Sequence, residues 1–468
     1  MSAREADVVV IGGGAIGENA AGYAVQAGLS AVIVEAELLG GECSYWACMP
    51  SKALLRTGQA VEAVRRLPGT TADFDPAAVL ARRDTITHDW NDDSQVEWAE
   101  GAGIGVVRGH ARITGERTVV VDGPEPVELT ARHAVVVCTG SVPVTPPVPG
   151  LDTVRTWSSR DATAAKEVPR RLGVLGGGVV GCELAQAFRR LGSEVVLLQR
   201  GPRLLPGAEP FAGERVAAAL RADGVDVRLT TGLDSVAADG DAIVLHVGGG
   251  TVVVDELLVA TGRRPRTDDV GVDVVGLTPG DPLTVDDSGL VQGVAGEWLY
   301  AAGDVTGRAP LTHQGKYAAR IVGAVIGARA QGRPVDTAPW GEHSATADHA
   351  AVPQVVFTDP EVASVGRTEA AAREAGIDLR VVDIPIAVGG STVHADGYDG
   401  AARMLVDQAR GVLVGVTFVG QDVAEMIHAA TVAVVGQVPL HRLWHAVPAY
   451  PTISEVWLRL LEAYRADA

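Results

Sequence analysis

Cys43 and Cys48 lie five positions apart in the segment GGECSYWACMPSK, Gly40 to Lys52. Two thiols at this spacing can close and reopen a disulfide, bind a metal, or sit inert in a core. A metal site calls for further Cys or His at short spacing, and the segment offers none. An inert pair fits poorly with the flanking glycines and with Lys52. A thiolate at a helix N-terminus beside a lysine is stabilised, its pKa falling from about 8.5 into the 3.5–7.5 range. Pro50 suits the opening of such a helix. The pair therefore points to dithiol–disulfide chemistry. Cys138 and Cys182 each stand alone in an apolar stretch and are expected to be small buried residues.

The elements that position this segment read as nucleotide-binding units. An apolar strand, Asp7 to Ile11, runs into Gly12, Gly14 and Gly17 and then a helical stretch, Asn19 to Ala27; a second strand, Ala31 to Val34, ends in Glu35. A lone GxGxxG also serves ordinary packing, but here strand, turn, helix and acid occur in order. Gly12 permits the tight turn, Gly14 the close approach of a pyrophosphate, and Gly17 the contact of helix with strand. Glu35 is placed for ribose hydroxyls. The pattern returns at Leu172 to Leu175 with Gly176, Gly178 and Gly181, a helix through Arg190, and the strand Glu194 to Leu198. This second strand ends in Gln199, followed by Arg200 and Arg203, with no acid to repel a 2′-phosphate. That leans towards NADPH, whereas Gly at 181 is the form more typical of NADH, so both remain open.

Two proline-rich crossovers, VVVCTGSVPVTPPVPG (Val135 to Gly150) and LLVATGRRPRTD (Leu257 to Asp268), separate these units, since proline is excluded from regular interiors. A linker, Gln331 to His343, precedes short β-rich runs and the helical pattern DVAEMIHAATVAVV, which read as an α+β domain. The expected architecture is α/β, with two Rossmann-like dinucleotide-binding domains and a C-terminal α+β dimerisation domain. Its divisions are 1–150 and 269–340 for the first nucleotide, 151–268 for the second and 341–468 for the last. The 468 residues carry a net charge of −19, which disfavours nucleic acid or anionic membrane as a partner. Four cysteines exclude a secreted disulfide framework. No apolar run reaches the roughly 20 residues of a membrane span, and the N-terminus lacks a signal-peptide pattern, so the cytoplasm is the expected compartment.

With these motifs in order, the chain resembles the class I pyridine nucleotide-disulfide oxidoreductases, the family of dihydrolipoamide dehydrogenase, glutathione reductase, mercuric reductase and soluble transhydrogenase. LYAAGDVTG (Leu299 to Gly307) resembles the family's second flavin motif. VFTDPEVASVG (Val356 to Gly366) and GVLVGVTFVGQDVAEMI resemble its dimerisation domain. The resemblance implies FAD in the first nucleotide unit, with Gly41, Thr139, Gly140, Gly262, Gly303 and Asp304 at the cofactor motifs and Asp304 on the ribityl chain. It implies NADPH or NADH in the second, and a homodimer whose C-terminal domain completes the partner's active site. Cys48 would be the thiolate beside the flavin, Cys43 the exchange thiol, and Lys52 would lie by the flavin paired with Glu183.

One position departs from the family. Its disulfide reductases carry His-Pro-Thr followed by a glutamate near the C-terminus, the histidine protonating the leaving thiol. Here the segment is AVPAYPTISE, with Tyr450 at the histidine's place and Pro451, Thr452 and Glu455 retained. A phenol of pKa about 10 is a poor base at neutrality but still a donor. Alkyl disulfides are thereby disfavoured, and with them dihydrolipoamide dehydrogenase and glutathione reductase activity. Mercuric reductase and high-molecular-weight thioredoxin reductase require a later cysteine or selenocysteine, and no Cys follows 182. Soluble transhydrogenase shares Tyr-Pro-Thr but lacks the complete cysteine pair. His441 and His445 are alternative acids. The expected activity is NAD(P)H-dependent reduction of a small disulfide with a good leaving thiolate. The alternatives are reduction of quinones or another acceptor, a transhydrogenase-like flavoprotein, and a dihydrolipoamide dehydrogenase subunit of a larger complex.

Overall fold

The computed structural model describes residues 2–123 and 126–466. The chain divides into two compact units. Met1–Pro50, Asp84–Val144 and Arg263–His349 form the first; Ser51–Arg83, Thr145–Gly262 and Ala350–Ala468 form the second.

The first unit is built on a seven-stranded sheet. Ile104–Arg108, Ala31–Glu35, Ser2–Ile11 and Val127–Val137 run parallel, and Leu299–Ala301 pairs parallel with the last of them. Thr118–Asp122 and His110–Gly115 extend the sheet antiparallel. Val8, Val9 and Val10 are fully buried in succession, the mark of a strand covered on both faces. Val8 and Val10 pack with Ala20, Ala21 and Ala24 of the helix Ala15–Gln26 and with Val322 and Val325 of the helix Thr312–Ala330; Val9 packs on the other face with Val135 and Trp298. The first helix begins at Ala15 rather than at the expected Asn19. Its N-cap is Gly14, with no capping side chain to mark the start in the sequence.

The second unit contains a four-stranded parallel sheet ordered Asp226–Arg228, Glu194–Leu198, Arg171–Leu175, Glu256–Val259, with the helix Val179–Arg190 packed on it. A three-stranded antiparallel ribbon, Ser235–Asp239, Ala242–Val247 and Gly250–Val254, is inserted before the last strand. The unit also contains a five-stranded antiparallel sheet ordered Pro353–Val356, Glu361–Gly366, Val412–Gly420, Ala401–Asp407, Leu379–Pro385. Val412–Gly420 is buried at every residue, as befits its central place. DVAEMIHAATVAVV is a 3-10 turn, Val423–Met426, leading into the helix Ile427–Val435.

The proline crossovers are not wholly irregular. Within the first unit Ser141–Pro143 and Arg263–Pro265 pair antiparallel, Arg263 opposite Pro143 and Pro265 opposite Ser141. Each proline ends a strand, where its missing N–H costs little. Among the described residues no helix is long and apolar enough to cross a membrane.

Candidate redox site

The dithiol segment is broken where its chemistry requires a break. A short helix, Gly41–Tyr45, carries Cys43, the chain turns out of helical geometry at Trp46, and Cys48 opens the helix Cys48–Arg65. Trp46 N and Ala47 N both donate to the Glu42 carbonyl. Tyr45 anchors the turn: it is fully buried, its carbonyl accepts from Trp90 Nε1 at 3.1 Å, and its hydroxyl meets Gln95 Oε1 at 3.1 Å. Both thiols are partly buried. The Cys43 thiol is hydrogen-bonded to the Cys48 sulfur, and that bond together with burial pushes Cys43 far above the ordinary thiol range. Cys48 Sγ lies 3.3 Å from Thr312 Oγ1, on the first residue of the helix Thr312–Ala330.

The same unit holds a cradle for a dinucleotide. Gly12 takes φ +99°, and a Cβ on Gly17 would stand 1.9 Å from the Gly12 carbonyl oxygen, so helix and strand meet only through glycine. A Cβ on Gly41 would stand 2.7 Å from Gly14 Cα, whereas one on Gly14 meets nothing nearer than 3.8 Å; the helix N-terminus thus faces an open trough. Glu35, at the strand end, accepts from Gly13 N at 2.6 Å and Glu37 N at 2.7 Å, and burial raises its pKa. These glycines and this acid fit the pyrophosphate and ribose of FAD. Asp304 Oδ2 accepts from Ser141 Oγ at 2.6 Å, and Arg263 Nε donates to that hydroxyl at 2.8 Å. Gly140 and Gly303 have positive φ at the neighbouring turns, and the Thr139 hydroxyl donates to the Arg266 carbonyl at 2.6 Å.

In the second unit Lys52 Nζ pairs with Glu183 Oε2 at 2.7 Å. Glu183 is buried; its other oxygen accepts from Phe357 N at 2.9 Å, and the Phe357 ring lies 4.8 Å below the ammonium. A buried carboxylate so engaged holds the lysine in one place. The second glycine turn repeats the first: Gly176 takes φ +114°, and a Cβ on Gly178 would meet nothing within 4 Å. Gln199 Oε1 accepts from Gly177 N at 2.9 Å, the bond Glu35 makes to Gly13. Arg200 is exposed, Arg203 donates to the Pro206 carbonyl, and Gly262 takes φ +138°. This turn fits a second dinucleotide, with a neutral amide where the first has a carboxylate.

Tyr450 and Glu455 also belong to the second unit. Tyr450 is 78% exposed, and a Cβ on Gly389 would stand 3.0 Å from its ring and 3.2 Å from Glu455 Oε2. Glu455 is buried and accepts from Gly390 N at 3.3 Å. His441 and His445 are exposed. Cys138 and Cys182 are buried, and burial pushes the Cys138 thiol up to about 12. Among the described residues no group of three or more His, Cys, Asp or Glu is arranged to hold a metal.

Thr312, Ser141 and Phe357 were not legible as site residues. Each meets its partner across more than 100 positions of chain. The one local signal was the hydroxyl of Thr312 at the head of a helical run soon after GDVTG.

A profile described as pyridine nucleotide-disulphide oxidoreductase matches residues 6–332, and that family's dimerisation domain matches residues 352–461. The mercuric reductase of Shigella flexneri is 33% identical, over 96% of this chain and 79% of that protein. The dihydrolipoyl dehydrogenase of Thermus scotoductus is 32% identical, over 99% and 98%. Among solved structures, the Cu(II) complex of the HOCl-induced flavoprotein disulfide reductase RclA from Escherichia coli superposes with a TM-score of 0.84 at 27% identity, covering 98% of this chain and 99% of that one.

Proposed function

The chain belongs to the pyridine nucleotide-disulphide oxidoreductase family and is a flavoprotein disulfide oxidoreductase working with NAD(P)H, and from that premise we propose that it reduces a low-molecular-weight disulfide whose thiolate leaves easily. The observation that carries this reading is the dithiol itself, with Cys43 and Cys48 on either side of the break at Trp46 and the Cys48 sulfur against Thr312. FAD, when bound, supplies two-electron transfer between the nicotinamide and the cysteine pair. Reduced Cys43 loses its proton and attacks one sulfur of the substrate, expelling the first thiolate and forming a mixed disulfide. Cys48 then attacks Cys43, the second thiol departs, and the Cys43–Cys48 disulfide is left to be reduced again. One dithiol and one disulfide thus become one disulfide and two thiols.

Gly12, Gly14, Gly17, Glu35, Gly41, Thr139, Gly140, Gly303 and Asp304 are the proposed FAD residues. Gly176, Gly178, Gly181, Gln199, Arg200, Arg203 and Gly262 are proposed for the nicotinamide cofactor. The neutral Gln199 and the two arginines favour NADPH over NADH. Lys52, held by Glu183, is assigned to the flavin. The dimerisation domain supports a homodimer, in which Tyr450 and Glu455 of one protomer would complete the partner's site, in the cytoplasm. A second reading rests on Tyr450. Without the family's acid the pair would be incidental, and electrons would pass from flavin to quinones or another nicotinamide.

Cys48→Ser separates the two. Steady-state oxidation of NADPH is measured against oxidised small thiols and quinones. Loss of disulfide turnover with quinone reduction retained is the expected result; a variant as active as the parent on every accepted substrate would overturn the dithiol mechanism.

A further inference from the structure

The dithiol segment is gripped by a strained turn that lies later in the first unit. His88, Asp89 and Trp90 take φ values of +50°, +50° and +57°. The turn is closed by Trp90 N on the Thr87 carbonyl and Asn91 N on the His88 carbonyl, both at 2.9 Å. None of the three is glycine, and each side chain disfavours the left-handed conformation. Such a run persists only where its surroundings over-determine it. Before the turn, Thr87 is fully buried. After it, Asp92 Oδ2 accepts from Leu39 N and from Arg108 Nη2, each at 2.6 Å, and Arg108 Nη1 donates to the Glu37 carbonyl at 2.9 Å. The Tyr45 hydroxyl meets the Asn91 carbonyl at 3.3 Å and Gln95 Oε1 at 3.1 Å. What the turn presents to the dithiol segment is the Trp90 indole, whose N–H donates to the Tyr45 carbonyl at 3.1 Å.

Tyr45 is the last residue of the short helix Gly41–Tyr45. Were that helix to run on, the Tyr45 carbonyl would accept from the amide of Met49, four residues later. Cys43 and Cys48 would then stand about 8 Å apart at Cα, on different sides of one helix. A disulfide cannot bridge more than about 7 Å without backbone movement. The indole N–H engages the carbonyl that the continuing helix would need. We propose that Trp90 is a positioning residue that keeps the helix broken at Trp46 and so favours closure of the Cys43–Cys48 disulfide. This rests on the dithiol reading and deepens it. With the break already made, closing the disulfide requires no unwinding; without the indole, the reduced segment relaxes towards continuous helix and the dithiol gains relative to the disulfide.

The test reads the exchange equilibrium of the FAD-loaded protein with dithiothreitol, anaerobically and without nicotinamide. Two protein thiols become one disulfide as oxidised dithiothreitol takes up two electrons and two protons; both forms are trapped in acid and counted by mass after alkylation. Trp90→Phe keeps an aromatic ring and removes the donor. It should lower the constant for disulfide formation about fivefold, which corresponds to a rise of about 20 mV in reduction potential. Asp89→Pro, whose ring fixes φ near −65°, dismantles the turn and should lower the constant at least as far. Trp98→Phe makes the same exchange at a tryptophan that is 50% exposed on the helix Asp93–Gly101, and should leave the constant unchanged. A fall in the unfolding midpoint would accompany lost packing in any case, so the equilibrium decides. A constant unchanged in Trp90→Phe, whatever its unfolding midpoint, would overturn the proposal and leave Trp90 a packing residue. A parent protein whose Cys43 and Cys48 close at no ratio of oxidised to reduced dithiothreitol would overturn the dithiol reading itself.

Discussion

Tyr450 is the residue on which we propose that substrate choice turns. Its ring is exposed and rests against Gly389, while the buried Glu455 is engaged by the Gly390 amide. A phenol contributes little as a base at neutral pH, so Tyr450→Phe should change turnover of a disulfide with a good leaving group by less than about threefold. Tyr450→His introduces a group of pKa about 6.5 and should raise kcat/KM for alkyl disulfides on the order of tenfold. Steady-state rates on matched alkyl and aryl disulfides check both. A collapse in the Phe variant would make the phenol the working acid. The residues of the redox pair were legible because C-x4-C is a local pattern beside glycines and a lysine. Thr312, 264 positions from Cys48, was not, because only the fold brings that hydroxyl to the sulfur.

At the scale of elements, glycine turns and apolar strands announced both nucleotide-binding units, and Glu194–Leu198 lies where its apolar run placed it. The helix start at Ala15 was hidden by its glycine cap, and the pairing of Ser141–Pro143 with Arg263–Pro265 by their prolines. Both misreadings come from local residue preference, which tertiary pairing overrides. The second glycine turn is as tight as the first: a Cβ on Gly181 would lie 1.9 Å from the Gly176 carbonyl oxygen. Gly181→Ala must push the helix Val179–Arg190 off its strand, at a cost of about 1–3 kcal/mol. The expected outcome is a raised KM for NAD(P)H and a lowered unfolding midpoint, with the flavin spectrum kept, because the proposed FAD cradle belongs to the other unit. A parent-like KM would show that the turn does not hold the nicotinamide cofactor.

For the whole molecule, the charge of −19 and the match to the dimerisation domain over residues 352–461 describe an acidic family member that carries the elements of a homodimer. The α/β architecture, with its C-terminal antiparallel sheet, was legible from the order of motifs along the chain. Cys48 belongs to the first unit, and Lys52, Glu183 and Tyr450 belong to the second. The central claim is that NAD(P)H electrons reach the Cys43–Cys48 pair. It is tested most directly by anaerobic titration of the oxidised protein with NADPH and, separately, with NADH, followed by absorbance. A long-wavelength band from a Cys48 thiolate beside oxidised flavin is the expected result, developing at lower concentration with NADPH and missing in Cys48→Ser. Flavin bleaching with either donor and no such band in the parent protein would contradict it.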